Sequence, residues 1–248
     1  MQNPKTILIT GASSGIGEAL AIAYAKSGVT LLLTGRSEER LDKVADACRQ
    51  QGANVVSAAI DIKDSQKLAV WIEEQDKVMP LDLVIANAGI SSSGQETTPE
   101  FDKEIFTINL FGVLNTVYPV IPLMKQRKRG QIVLMGSLAG MYGFPRAPAY
   151  CASKAAVRTF GESLRNKLRP LGIEITVICP GFIKTPLTDV NEYKMPFLMP
   201  VERAVNIIIK GLARNKGLIA FPWQMYFALW WLRVLPSSLA ERLAQHIT

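Results

Sequence analysis

The 248-residue sequence predicts an α/β fold: a doubly wound parallel sheet of about seven strands with helices on both faces. Three observations carry that expectation. Apolar runs of strand length alternate with helix-length segments along the chain. Several runs are nearly continuous in Ile, Leu and Val, the composition of strands covered on both sides. A glycine turn, Gly11-Ala-Ser-Ser-Gly15-Ile-Gly17, joins the first run to the first helical segment. No linker, repeat or low-complexity tract is visible. One domain over residues 1–248 is therefore expected, with an apolar extension from about residue 222.

The first strand is expected at Thr6–Thr10, so close to the start that no cleavable leader precedes it, and a cytoplasmic protein is the simplest expectation. Further strands are expected at Thr30–Thr34, Asn54–Ala59, Leu83–Ala86, Gln131–Met135, Glu174–Ile178 and Leu218–Phe221. Helical patterns run through Glu18–Ser27, Glu38–Gln51, Ser65–Lys77, Pro99–Arg127, Tyr150–Leu171 and Pro200–Asn215. Gly28, Gly52 and Gly172 stand where helices of this kind end. Ser238-Leu-Ala-Glu241 has the pattern of a capping box opening a last short helix.

Composition narrows the function. A hydrophobic fraction of 48% supports a sizeable core. Three scattered cysteines, Cys48, Cys151 and Cys179, form neither a CxxC pair nor a disulfide framework, which fits a reducing compartment. Cys151 reads as a packing residue turned away from its neighbour Tyr150. The single histidine, His246, lies third from the end and reads as a solvated residue. One histidine rules out an HExxH metal site and leaves a Ser-His-Asp hydrolase only the terminal tail. No metal site is expected. The net charge of +7 is dispersed apart from Lys125-Gln-Arg-Lys-Arg129, a cluster expected to end a helix in solvent. Without a long basic face or interleaved aromatics, nucleic acid is not an expected partner.

Glycines directly after an apolar strand allow a tight turn and let backbone N–H groups approach a pyrophosphate at a helix N-terminus. At the end of the second strand, dinucleotide folds that prefer NAD place an acidic residue for the ribose 2′-hydroxyl. Here Gly35 and Arg36 follow Thr34. A guanidinium fork suits a 2′-phosphate, with Ser13 or Ser14 adding hydrogen bonds, so NADP(H) is the expected cofactor. Further along, Tyr150 and Lys154 are four residues apart and share one face of a helix. A phenol titrates near pH 10, and an adjacent ammonium favours its charged form. The pair suits proton transfer at an alcohol oxygen.

Together, Thr10–Gly17, Asp61, Asn87-Ala-Gly89, Asn109, Ser137, Tyr150-Cys-Ala-Ser-Lys154 and Pro180-Gly181 resemble the short-chain dehydrogenase/reductase family, in its single-domain branch with a Rossmann-like fold. The resemblance spans roughly residues 5 to 221. One departure is Ala86, where many members carry a second Asn. The resemblance implies carbonyl–alcohol interconversion on a small-molecule substrate. Tyr150 would be the acid/base, Lys154 would lower its pKa and bind the nicotinamide ribose, and Ser137 would hydrogen-bond the substrate oxygen. Asn109 would hold a relay water. For the cofactor it implies Gly11, Ser13, Ser14, Gly15, Ile16, Gly17 and Arg36; Asp61 and Ile62 at the adenine; Asn87, Ala88 and Gly89 on the adenosine side; and Pro180, Gly181, Ile183 and Thr185 at the carboxamide. A rival class is a nucleotide-binding regulator that has lost catalysis; intact Ser137, Tyr150 and Lys154 argue against it.

Substrate choice is expected in segments Ile90–Gly94, Leu138–Pro148 and Pro186–Met199. Met195, Pro196, Phe197, Leu198 and Met199 suggest an apolar lid, and Met141, Tyr142 and Phe144 an apolar wall, for a bulky substrate. From Gly217 to Leu232 there is no charge, and three of four tryptophans fall between Trp223 and Trp231. Trp223–Leu235 is too short to span a bilayer. A homodimer or homotetramer interface, a cap over the pocket, and peripheral membrane contact are the three readings, with burial in an oligomer or pocket preferred.

Overall fold

The computed structural model describes residues 3–92 and 97–245. Its centre is a seven-stranded, all-parallel sheet of order β3-β2-β1-β4-β5-β6-β7. The strands are β1 (Thr6–Thr10), β2 (Thr30–Gly35), β3 (Asn54–Ala59), β4 (Leu83–Ala86), β5 (Gly130–Met135), β6 (Ile173–Pro180) and β7 (Leu218–Phe221). Side chains alternate across it as the pleat requires. Ile7, Ile9, Leu31 and Leu33 face one layer, formed by helices α1 (Gly15–Tyr24), α2 (Glu38–Gln50) and α8 (Val201–Ala213). Leu8, Leu32, Val84 and Ile132 face the other, formed by α3 (Ser65–Val78), α5 (Gly112–Arg127) and α6 (Pro148–Leu168). Both faces are dry, which explains the unbroken Ile/Leu/Val runs. Each such side chain contributes about 1.5–3 kcal/mol on burial.

The winding reverses between β1 and β4, which pair directly through Ile7–Leu83, Leu8–Val84 and Ile9–Ile85. A crevice opens there beyond the carboxyl ends of the strands, the binding place of such sheets. The remaining helices are α4 (Pro99–Phe106), the short α7 (Pro186–Asp189), α9 (Trp223–Val234) and α10 (Ser237–Gln245).

Several details depart from the sequence reading. Helix α1 begins at Gly15, inside the glycine turn, because Ser14 is extended and serves as its N-cap. The expected helix Pro99–Arg127 keeps its bounds, with a π-helical turn at Thr107–Phe111 between its two α-helical parts, α4 and α5. Helix α10 already includes Ser238, so that residue is not its cap. His246, and Ser93 and Gly94 of the first substrate segment, lie outside the described residues.

The basic cluster is more than a solvated helix end. Arg127 makes a two-pronged pair with buried Asp76 at 2.6 and 2.9 Å, and Arg129 pairs with Asp82 at 2.9 Å. These bonds fasten the end of α5 to α3 and to the start of β4. Asp76, fully enclosed, needs such a partner.

Candidate active site

The cofactor end is built at the junction of β1, α1 and β4. The Asn87 amide donates to the Thr10 carbonyl at 3.0 Å and the Gly11 carbonyl at 3.2 Å. The Asn87 N–H donates to the Thr10 hydroxyl at 3.1 Å. Asn87 is thus a brace for the glycine turn as well as part of the adenosine side. Gly17 packs into this brace: a Cβ there would stand 2.6 Å from the Asn87 amide nitrogen. No side chain caps α1, which leaves its first N–H groups aimed into the crevice for an anion.

Gly35 lies against Ser13, whose hydroxyl would be 2.9 Å from any added Cβ. The next residue, Arg36, points into the same cleft, and so does Arg40, which the sequence reading missed. Neither has an ion-pair partner among the described residues. Arg40 sits in the first turn of α2, against the helix dipole. That misplaced cation was the signal available in the sequence.

The catalytic candidates converge where β5, β6 and α6 meet. Ser137 follows β5 and caps a 3₁₀ turn, Leu138–Met141, accepting from the Ala139 N–H at 3.1 Å. Its hydroxyl makes a long bond to the Pro180 carbonyl at 3.5 Å and faces the Tyr150 phenol, which places it where a substrate oxygen would sit. Helix α6 places Tyr150 and Lys154 one turn apart. The Lys154 ammonium, 4% exposed, donates to the Met135 carbonyl at 2.9 Å and lies 5.8 Å from the Tyr150 ring centroid.

Burial dominates both titrations. It pushes the Tyr150 phenol up to about 12, partly opposed by a hydrogen bond from Ser137. It pulls Lys154 down to about 8. Burial outweighs the groups that favour the phenolate, so the phenol of the protein alone is protonated at neutral pH. Lys154 lies over the ring face, anchored to Met135, and the hydrogen bond from Ser137 favours the phenolate.

Asn109 lies in the π-helical turn, fully buried. Its amide donates to the Ile90 carbonyl at 2.9 Å and the Ser153 hydroxyl at 3.2 Å, and its oxygen accepts from the Ile90 N–H at 2.8 Å. Both amide protons are committed. Ser153 in turn donates to the Tyr150 carbonyl at 2.8 Å, tying the turn to α6.

One cleft of about 1050 Å³ joins these pieces. Of the expected residues, it is lined by Gly11, Ser13, Ser14, Gly15, Ile16, Arg36, Ile62, Asn87, Ala88, Gly89, Ser137, Tyr150, Lys154, Pro180, Gly181, Ile183 and Thr185. Gly17 and Asn109 stand behind the wall. Asp61 stands outside the lining too, its carboxylate accepting from the Lys63 N–H at 2.9 Å. Cys151, expected to face away, also borders the cleft.

The far half carries an apolar wall of Leu138, Phe144, Pro196, Phe197, Met225, Leu229 and Leu232, with Arg146, Asn191, Glu192, Lys194 and Gln224 also lining the cleft. Met141 instead packs into a buried cluster with Leu138, Cys179 and Leu229. Helix α9 thus supplies one wall through Gln224, Met225, Ala228, Leu229 and Leu232. Its opposite side, Trp223, Phe227, Trp230, Trp231 and Val234, is exposed. The preferred burial in an oligomer or pocket therefore describes only the inner face within this chain.

Fold, glycine turn and the Ser–Tyr–Lys set define a nicotinamide-dependent dehydrogenase/reductase. Residues 5–195 match the profile described as short chain dehydrogenase, and the chain belongs to that family. An uncharacterized oxidoreductase of Myxococcus xanthus is 37% identical over 98% of this chain and 97% of its own length. A ketoacyl reductase, HetN, of Nostoc is 31% identical over 86% of this chain and 76% of its own length. A short-chain dehydrogenase from Sphingobium yanoikuyae in complex with NADPH superposes with a TM-score of 0.79 at 28% identity, over 88% of each chain.

Proposed function

We propose that the protein is a cytoplasmic, homo-oligomeric NADPH-dependent reductase of a bulky, apolar carbonyl compound, formed by one domain. The observation that carries the cofactor choice is Gly35 followed by Arg36, with Arg40 beside it, at the place where an acidic residue would select NAD. The NADPH in the Sphingobium neighbour adds support. The apolar wall of the cleft supports the substrate class. Three buried free cysteines support a reducing compartment, and exposed Phe111 and Tyr118 beside and along α5 support self-association.

Bound NADPH would supply the hydride. The chain's own residues do the rest. The first turn of α1 and the two arginines would hold its phosphates. Ser137 donates a hydrogen bond to the substrate oxygen and fixes its direction. Tyr150, protonated at neutral pH because burial holds its pKa high, gives its proton to that oxygen as charge develops there. A protonated phenol is the form reduction needs. Lys154 beneath the ring stabilises the phenolate left behind, and solvent protons restore the acid. Asn109 is assigned a positioning role, holding Ile90 and, through Ser153, the first turns of α6.

Fluorescence titration of NADPH and NADH against wild type and Arg36→Ala tests the reading. Tighter NADPH binding that weakens selectively in the variant is expected. Equal affinity, or an NADH preference indifferent to Arg36, would overturn the 2′-phosphate assignment. A short polar ketone with the best kcat/KM would overturn the substrate class.

A further inference from the structure

We propose that α9 docks the protein onto an anionic lipid bilayer, its outer face lying in the headgroup region. The proposal deepens the reading of the cleft as a site for an apolar carbonyl, and rests on that reading only for what the docking delivers.

Helix α9 has two apolar faces. At 100° per residue, Trp223, Phe227, Trp230, Trp231 and Val234 fall within one stripe about 100° wide, and all are exposed. Met225, Ala228, Leu229 and Leu232 fall on the other side and line the cleft. The outer stripe has no cover among the described residues: Trp223 is 70% exposed and Trp231 53%. Its aromatic rings lean on one another, Trp230 lying 5.9 Å from Phe227 and 5.5 Å from Trp231 between centroids. Helix α10 adds exposed Leu239 and Leu243, one turn apart. Contiguous apolar surface of this kind marks an interaction site.

The chemistry of the stripe selects the occupant. Tryptophan combines an apolar body with an N–H that seeks a partner, which suits a boundary between hydrocarbon and water. The sole charge on α9 is Arg233, on the flank of the stripe, and the helix carries no carboxylate. In a symmetric pairing of two copies through α9, each helix would bring an arginine and no acid to meet it. Anionic headgroups do meet it, and the chain's net charge of +7 has the same sign. Twelve residues make a helix of roughly 18 Å, too short to cross the bilayer, so it lies in the plane of the interface. Docked in this way, α9 is a partition one helix thick between lipid and cleft, and an apolar carbonyl dissolved in the lipid has the shortest route to Tyr150.

The test is flotation of the full chain with phosphatidylcholine vesicles, with and without phosphatidylserine. Wild type and the double variant Phe227→Ser, Trp231→Ser are compared, with NADPH titration and light scattering on both. The wild type is expected to float with the anionic vesicles. The variant should float about tenfold less, with unchanged NADPH affinity and unchanged oligomeric size. No flotation of wild type, or equal flotation of the variant, would overturn the proposal. So would an oligomer that dissociates in the variant, which would assign the face to a second copy. Flotation is read without turnover, so failure of the carbonyl-reductase reading leaves it intact, and failure of flotation leaves that reading intact.

Discussion

Lys154 should carry a measurable stability penalty that disappears at high pH. Its ammonium is enclosed, and burial lowers its pKa from 10.5 to about 8. At 1.36 kcal/mol per pH unit, charging it in the folded protein costs about 3 kcal/mol relative to the unfolded chain. The sign follows from the proton count. Below pH 8 both states are charged and the penalty is fully present. Between 8 and 10.5 the folded state has already released its proton and the unfolded state has not, so stability rises with pH. The variant Lys154→Met keeps the length and apolar stem and removes the charge, but leaves the Met135 carbonyl without its donor, a loss of about 1–3 kcal/mol. At neutral pH these effects nearly offset, and the variant should lie within about 2 kcal/mol of wild type while losing turnover. Urea unfolding at neutral pH and again near 10.5 should show wild type gaining about 3 kcal/mol on the variant. Groups common to both proteins, Tyr150 included, cancel to first order in that difference. A difference constant across the range would refute the argument that Lys154 is held charged against its burial.

Two further outcomes follow from the same geometry. Asn87→Ala removes both amide bonds to Thr10 and Gly11 and should cost about 1–3 kcal/mol in stability and at least roughly tenfold in NADPH affinity; unchanged affinity by fluorescence titration would mean the glycine turn stands without its brace. Ser137→Ala should lower kcat/KM about 100- to 10,000-fold. Because Ser137 pulls the Tyr150 pKa down, its loss should also move the basic limb of the pH–rate profile to higher pH, and an unmoved limb would separate Ser137 from that phenol.

The sheet was legible because β1, β2, β4, β5 and β6 are buried on both faces, so their apolar runs need no tertiary information to be seen. Strand bounds at Thr6–Thr10, Asn54–Ala59, Leu83–Ala86 and Leu218–Phe221 agree between sequence and structure. The site residues were legible for a different reason: Gly11–Gly17 and Tyr150–Lys154 are local in sequence, and their spacing alone puts each set on one turn or one helix face. What could not be read was long-range. Asn87 bracing Gly11, and Arg127 reaching Asp76, depend on which strands become neighbours. The π-helical turn around Asn109 is set by bonds to Ile90 and Ser153, whose sequence separation hides them. The raised Tyr150 pKa is likewise a property of enclosure, which no four-residue spacing reports. Helix α9 resisted a single reading because its two apolar faces look out on different surroundings.

The seam between β1 and β4 also bears on how the protein matures. Thr10 and Asn87, Gly89 and Lys154, Met135 and Lys154 meet only after long loops have closed, so a chain emerging from the ribosome cannot retain its nicotinamide dinucleotide until α6 has been made and seated. At a free concentration a hundredfold above its dissociation constant the dinucleotide adds about 2.7 kcal/mol to the finished fold. The stability of the finished fold thereby rises with the free concentration of the dinucleotide.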